Sequence, residues 1–183
     1  SDCDHTTVFQ HTGNNPNKLG HNTGNSVNPG NCTKKMGLPN DCATNSAYEY
    51  KGDASVLRVV SHAYYLNMAT NDVPSFYRNE VIAGVIADEN IEELAQGVES
   101  MQVRYGIDSD LVPDGIANRY VNADDVADWQ TVISIRIHLL MRSINEVTSE
   151  PVEFRFFDET YTPTDRFLRR EFVSNINIRN RGA

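Results

Sequence analysis

No stretch of this 183-residue chain approaches the roughly 20 consecutive apolar residues that a membrane-crossing helix needs. Catalytic signatures are missing as well: there is no nucleophile elbow, no P-loop, no His-Glu-x-x-His pair and no Gly-rich dinucleotide fingerprint. Positive charge is in deficit, with 16 Lys and Arg against 25 Asp and Glu, a formal net charge of −9. A surface of that sign repels phosphate backbones and anionic lipid, so direct nucleic-acid binding is not expected. No signal peptide opens at Ser1, and the polar start Ser1-Asp2-Cys3-Asp4-His5 reads as the inside of a longer gene product. These absences point to a non-catalytic domain for which no cofactor is expected to be required.

Cysteine is sparse, and its placement is informative. Cys3, Cys32 and Cys42 all lie in the first quarter of the chain, in polar sequence. Buried structural thiols usually have apolar neighbours, so a disulfide is the better reading, and with it an oxidising compartment. Three single pairings are open; Cys32 with Cys42 is favoured, closing a short loop that contains Gly37 and Pro39. The nearby His5, His11 and His21 invite a zinc site. Closed zinc sites use paired ligands at short fixed spacing, however, and only Cys3 and His5 are that close.

The length suits one compact domain with a real core and is short for two. Composition changes near residue 53. Residues 1–53 are rich in Asn, Gly and Thr and read as an irregular segment carrying the cysteines. Residues 54–183 read as a β-rich domain. Val56 to Val60 is a β-branched run, Ala63 to Met68 and Ser75 to Arg78 are short strand candidates, and this spacing predicts an antiparallel meander. Val81 to Ala87 fits helix or strand, and Ile91 to Ala95 a helical turn or an extended edge.

Period two dominates the second half. In Thr131 to Arg142, Ile133, Ile135, Ile137, Leu139 and Met141 alternate with Val132, Ser134, Arg136, His138 and Leu140. Successive strand side chains point to opposite faces, so the first set is expected to line a core and the second a wetter face, with His138 a surface or satisfied histidine. Met101, Val103 and Tyr105 alternate likewise, as do Val152, Phe154 and Phe156, and a last strand is expected over Phe172 to Arg179. Helix is limited to one or two turns at Ala123 to Gln130, with Asp124 or Asp125 as N-cap and Trp129 as a core anchor.

One loop carries recognisable chemistry. Asp108, Asp110, Asp114 and Asn118 surround Gly115, and alternating oxygen ligands before a turn-making Gly are what calcium loops use. The spacing is stretched: Val112 stands where a regular loop has its third acid, and no closing Glu follows. The competing reading is an acidic surface turn with Asp and Gly chosen for backbone geometry.

Taken in order, Gly97-Val-Glu-Ser-Met-Gln-Val-Arg-Tyr-Gly106, the Asp-rich loop, Arg119 to Trp129, Val132 to Ser143 and the closing Arg169 to Asn180 resemble the PilW family of type IV pilus minor pilins. The resemblance covers about Ala54 to Asn180, and the acidic loop carries a two-residue insertion relative to the family's usual pattern. It implies an α+β, mainly β fold: antiparallel sheets of a pilin- or pseudopilin-like C-terminal domain, with an N-terminal apolar helix that this sequence lacks. It implies a structural subunit of the tip or priming complex of the pilus, in a machinery that serves twitching motility, adhesion and DNA uptake. The implied partners are other minor pilins, the major pilin and, through the helix, the inner membrane. The domain would be periplasmic before assembly and extracellular after it. A J-like pseudopilin of type II secretion and a tip-displayed adhesin are the alternative roles.

Overall fold

The structure, a computed structural model, describes residues 1–2, 4–13, 15–23, 30–39, 41–69, 71–82, 85–86 and 91–179. Among the described residues ten strands follow one another: β1 (His62–Met68), β2 (Pro74–Ile82), β3 (Val85–Ile86), β4 (Glu92–Gln96), β5 (Val98–Ile107), β6 (Arg119–Val121), β7 (Val132–Arg142), β8 (Phe154–Phe156), β9 (Glu159–Tyr161) and β10 (Arg169–Asn177). The fold is mainly β, as the period-two pattern predicts, and the pairs β2–β3, β2–β4, β5–β6, β5–β7, β7–β10 and β8–β9 run antiparallel. Among the described residues no helix is long and apolar enough to cross a membrane.

The chain divides into two compact units, Ser1–Ser61 with Glu80–Ala87, and His62–Asn79 with Asp88–Ala183. The first is built mostly without strands. A disulfide joins Cys32 to Cys42, whose Cα atoms are 5.4 Å apart. With both sulfurs in that bond, neither is a thiolate ligand for zinc. Cys3 lies outside the described residues. The start of the chain is tied down by paired backbone bonds between Ser1 and Ser55. Tyr48 donates its hydroxyl to Asp2 at 2.8 Å and stacks on His5. That bond holds the Asp2 carboxyl below its usual range and pushes the Tyr48 phenol up to about 12.

Two expectations change in this unit. Val56–Val60 joins no named strand, and Val56, Leu57, Val59 and Val60 are each more than half exposed. Strand propensity is realised only against a pairing neighbour, and this run has none among the described strands. The ambiguous segment from Val81 is extended: Val81 pairs with Ile86 and Ile82 with Val85, while residues 83–84 and 87 lie outside the described residues.

The second unit holds the larger sheet, in the order β10-β7-β5-β6. β1, β2 and β4 belong to another sheet, in which Tyr64 stacks on Phe76 and Tyr65 on Tyr77 across neighbouring strands. Gly97 joins β4 to β5. It sits at φ +80°, and a Cβ there would come 2.4 Å from the Arg142 carbonyl oxygen, so only glycine fits. Its amide donates to Pro74 and its carbonyl accepts from Arg142, both at 2.7 Å.

The faces of β7 are the main correction. Val132, Ser134, His138 and Leu140, from the set expected to be wetter, are buried. Of the set expected to line the core, only Ile133 is fully buried, while Ile135, Ile137, Leu139 and Met141 are half-buried. The reason is what lies on each side. The β8–β9 hairpin covers the first face: Phe157 meets His138 edge-on at 5.1 Å, and Phe156 is buried. Tyr120 of β6 covers the same face further along, under the Arg136 guanidinium at 3.6 Å. The apolar face, to which Met101, Val103 and Tyr105 of β5 also belong by register, stays open. Phe172 and Ile176 extend it on the edge strand β10, at 50% and 48% exposure.

The expected helix at Ala123–Gln130 is replaced by two single 3₁₀ turns, Ala123–Asp125 and Trp129–Thr131. Asp124 and Asp125 lie within the first turn and do not cap it; Asp128 caps the second, accepting from the Gln130 amide at 2.8 Å. Trp129 is half exposed and stands edge-on to Tyr105 at 4.9 Å, so it edges the open face and is not a core anchor.

Candidate functional site

Two features of the second unit are candidates, and both hang on β5 and β7. The first is the loop that leaves β5. Its base is fixed by backbone bonds, from the Asp108 amide to Thr131 and from the Asn118 amide to Ile107. Asp108 is buried, and its carboxylate organises the turn: Oδ1 accepts from the Asp110 amide at 3.2 Å, and Oδ2 from Asp114 and Gly115 at 3.0 and 2.9 Å. Gly115 takes φ +77°, the left-handed conformation that the turn requires. Asn118 bridges the loop, accepting from the Ser109 amide at 2.6 Å and donating to Asp110 Oδ2 at 3.2 Å.

This arrangement brings three of the four sequence-level candidates together. Asp108, Asp110 and Asp114 each offer a carboxylate oxygen within 4.8 Å of the others. The Asn118 carbonyl oxygen is turned to Ser109, and its amino group faces the acids. Hard cations take such oxygen donors. The same carboxylates also serve the loop's own backbone, Asp114 closing on the Ile116 amide at 2.8 Å. The tip carries what the acidic pattern does not foretell: Leu111 and Val112 stand out in solvent at 104% and 81% exposure. The sequence signal was the stretched spacing at Val112.

The second feature is the open apolar face of the larger sheet. The opposite, covered face of the same sheet carries at its far end an ionic cluster that sequence reading does not reach. Arg169 donates to both oxygens of Glu99, at 2.6 and 3.0 Å, and to both of Asp165, at 2.5 and 2.8 Å. Arg142 joins Glu99 at 3.3 Å and lies over the Phe167 ring at 4.1 Å. The Arg169 guanidinium holds the Asp165 carboxyl below its usual range, and the two carboxylates push Arg169 up. His138, expected to be a surface or satisfied histidine, is buried with Nδ1 2.7 Å from Glu171. Asp124 and Asp125 are exposed and lie in a 3₁₀ turn with no buried residue.

A family model described as type IV pilus-assembly protein W matches residues 63–180, well over half of the chain. No curated protein and no solved structure matches it.

Proposed function

The chain belongs to the type IV pilus-assembly protein W family, and from that premise we propose that it is a minor pilin, a non-catalytic structural subunit of the complex that primes the pilus at its tip. Its role in type IV pilus assembly places it with other pilus components, at the envelope or in the pilus. The observation that carries the finer reading is the open sheet face. Met101, Val103, Ile135, Ile137 and Leu139 form one continuous apolar surface with Phe172 and Ile176, half-buried or exposed throughout. A monomeric domain rarely leaves such a surface uncovered. In a minor pilin an N-terminal apolar helix packs there and continues into the inner membrane and the filament core. The other minor pilins and the major pilin are then its neighbours, and twitching, adhesion and DNA uptake depend on it through the pilus. The test is a deletion strain. Surface pili should fall to near zero and return with the full-length gene; unchanged pili in the deletion strain overturn the assignment.

The convergence of Asp108, Asp110 and Asp114 favours a second, narrower reading: the loop holds a structural calcium ion. Thermal melts of the domain in millimolar Ca²⁺ and in chelator should then differ, with the higher midpoint in calcium. Superposed curves remove the site.

A further inference from the structure

The stretch Leu111–Pro113 contributes nothing to the core: Leu111 is 104% exposed, Val112 81% and the neighbouring Ile116 65%. Burying a Leu or Val side chain is worth about 1.5–3 kcal/mol, and these side chains collect none of it within the chain. The loop that presents them is nonetheless held firmly. Asp108 ties three amides on both sides of the tip, and Asn118 brackets Ser109 and Asp110. Ordering a loop is a large part of the free-energy cost of binding, and here the fold has already met it. The apolar tip also interrupts the acidic spacing, since Val112 stands where a regular calcium loop has an oxygen donor.

We infer that the Leu111–Val112 tip is a docking knob that seats in an apolar hollow bordered by Lys or Arg on another pilus subunit. The basic border follows from charge. Asp110 and Asp114 are exposed on either side of the tip, with Asp108 at its base. A divalent ion among the three would still leave this collar one charge negative. A second copy of the chain, with its net charge of −9, brings like charge to the contact, and anionic lipid does the same. A basic-rimmed protein surface is the complementary occupant, and an apolar centre inside a polar rim is the usual anatomy of a protein interface. The inference rests on the pilus-assembly reading and adds to it the contact surface and the chemistry of the partner.

The test uses the full chain and the doubly substituted Leu111→Ser, Val112→Ser variant. The probes are purified soluble domains of the pilus subunits encoded beside it, and vesicles of mixed phosphatidylcholine and phosphatidylglycerol. The two proteins should melt at the same temperature, because the tip packs on nothing. The wild type should bind at least one subunit, the variant should bind it at least ~10-fold more weakly, equivalent to about 1.4 kcal/mol, and added salt should weaken the wild-type contact. Equal affinity of the two proteins overturns the docking knob and leaves the pilus-assembly reading intact. Wild-type binding to none of the subunits counts against both. Wild-type binding to the vesicles that the variant loses overturns the protein partner.

Discussion

Arg169 is almost enclosed, with 8% of its side chain exposed, and it survives there because two carboxylates share its guanidinium. A planar fork with five donors can serve two bidentate partners at once, which a lysine could not. Asp165 stands one helical-type spacing away in sequence, but Glu99 comes from another strand, so the pairing is set by the sheet. Linkage gives the pH behaviour. The folded state lowers the Asp165 carboxyl below 3.8, so its contribution is complete above that value and is lost as pH falls through the lower folded value. Asp165→Asn should therefore lower the unfolding midpoint at neutral pH, and the gap from wild type should narrow as pH falls below 3.8. Urea titrations from neutral to acidic pH measure it; a gap that does not narrow at all on acidification would sink the argument. At this scale little was legible beforehand. The alternation assigns His138 a face correctly but says nothing of what covers that face, and its partners Glu171 and Phe157 arrive from distant sequence.

At the scale of elements, local pattern carried further. Strands β5, β7 and β10 follow from alternation because period two is a property of the strand itself. Turns that depend on distant support were not legible. The β8–β9 hairpin turns through Phe157 and Asp158 at φ +52° and +69°, without the Asn-Gly or Asp-Gly pair that marks such turns in sequence. It is held from outside: Glu171 accepts from the Phe157 amide at 3.1 Å, and Arg104 lies 4.1 Å over the Phe157 ring while pairing with Asp158. The acidic loop is the opposite case, since its Asp residues and Gly115 were visible and the loop is closed mainly by its own side chains. Replacing Asp108 with Ala strips the acceptor from three part-buried amides, and a hydrogen bond of this kind is worth about 0.5–1.5 kcal/mol net. We expect Asp108→Ala to lower stability by about 2 kcal/mol in chelator as well as in calcium. Equal stability of mutant and wild type in chelator would show that the carboxylate organises the loop only through a metal.

For the whole molecule, the informative fact is that its sheet has one face covered and the more apolar one open. The sequence showed which residues share a face, and it suggested, wrongly, that the more apolar set is the core. Burial is decided by what the rest of the chain lays over a face: here the β8–β9 hairpin and Tyr120 went to the side of Ser134, His138 and Leu140. Two positions of one strand therefore have opposite fates on substitution. Leu140 is 6% exposed, and an aspartate there buries a charge with no partner, so Leu140→Asp should leave the second unit unfolded by circular dichroism. Ile137 is half-buried on the open face. Ile137→Asp gives up part of one apolar side chain, about 1–2 kcal/mol, and the aspartate keeps access to water. The domain should stay folded, while a strain carrying the substitution should assemble few or no pili, because on the minor-pilin reading the charge falls where an N-terminal apolar helix packs. Both halves are needed for the argument. Normal piliation with a folded Ile137→Asp protein would mean that the open face covers nothing in the filament, and the minor-pilin reading would lose its structural support.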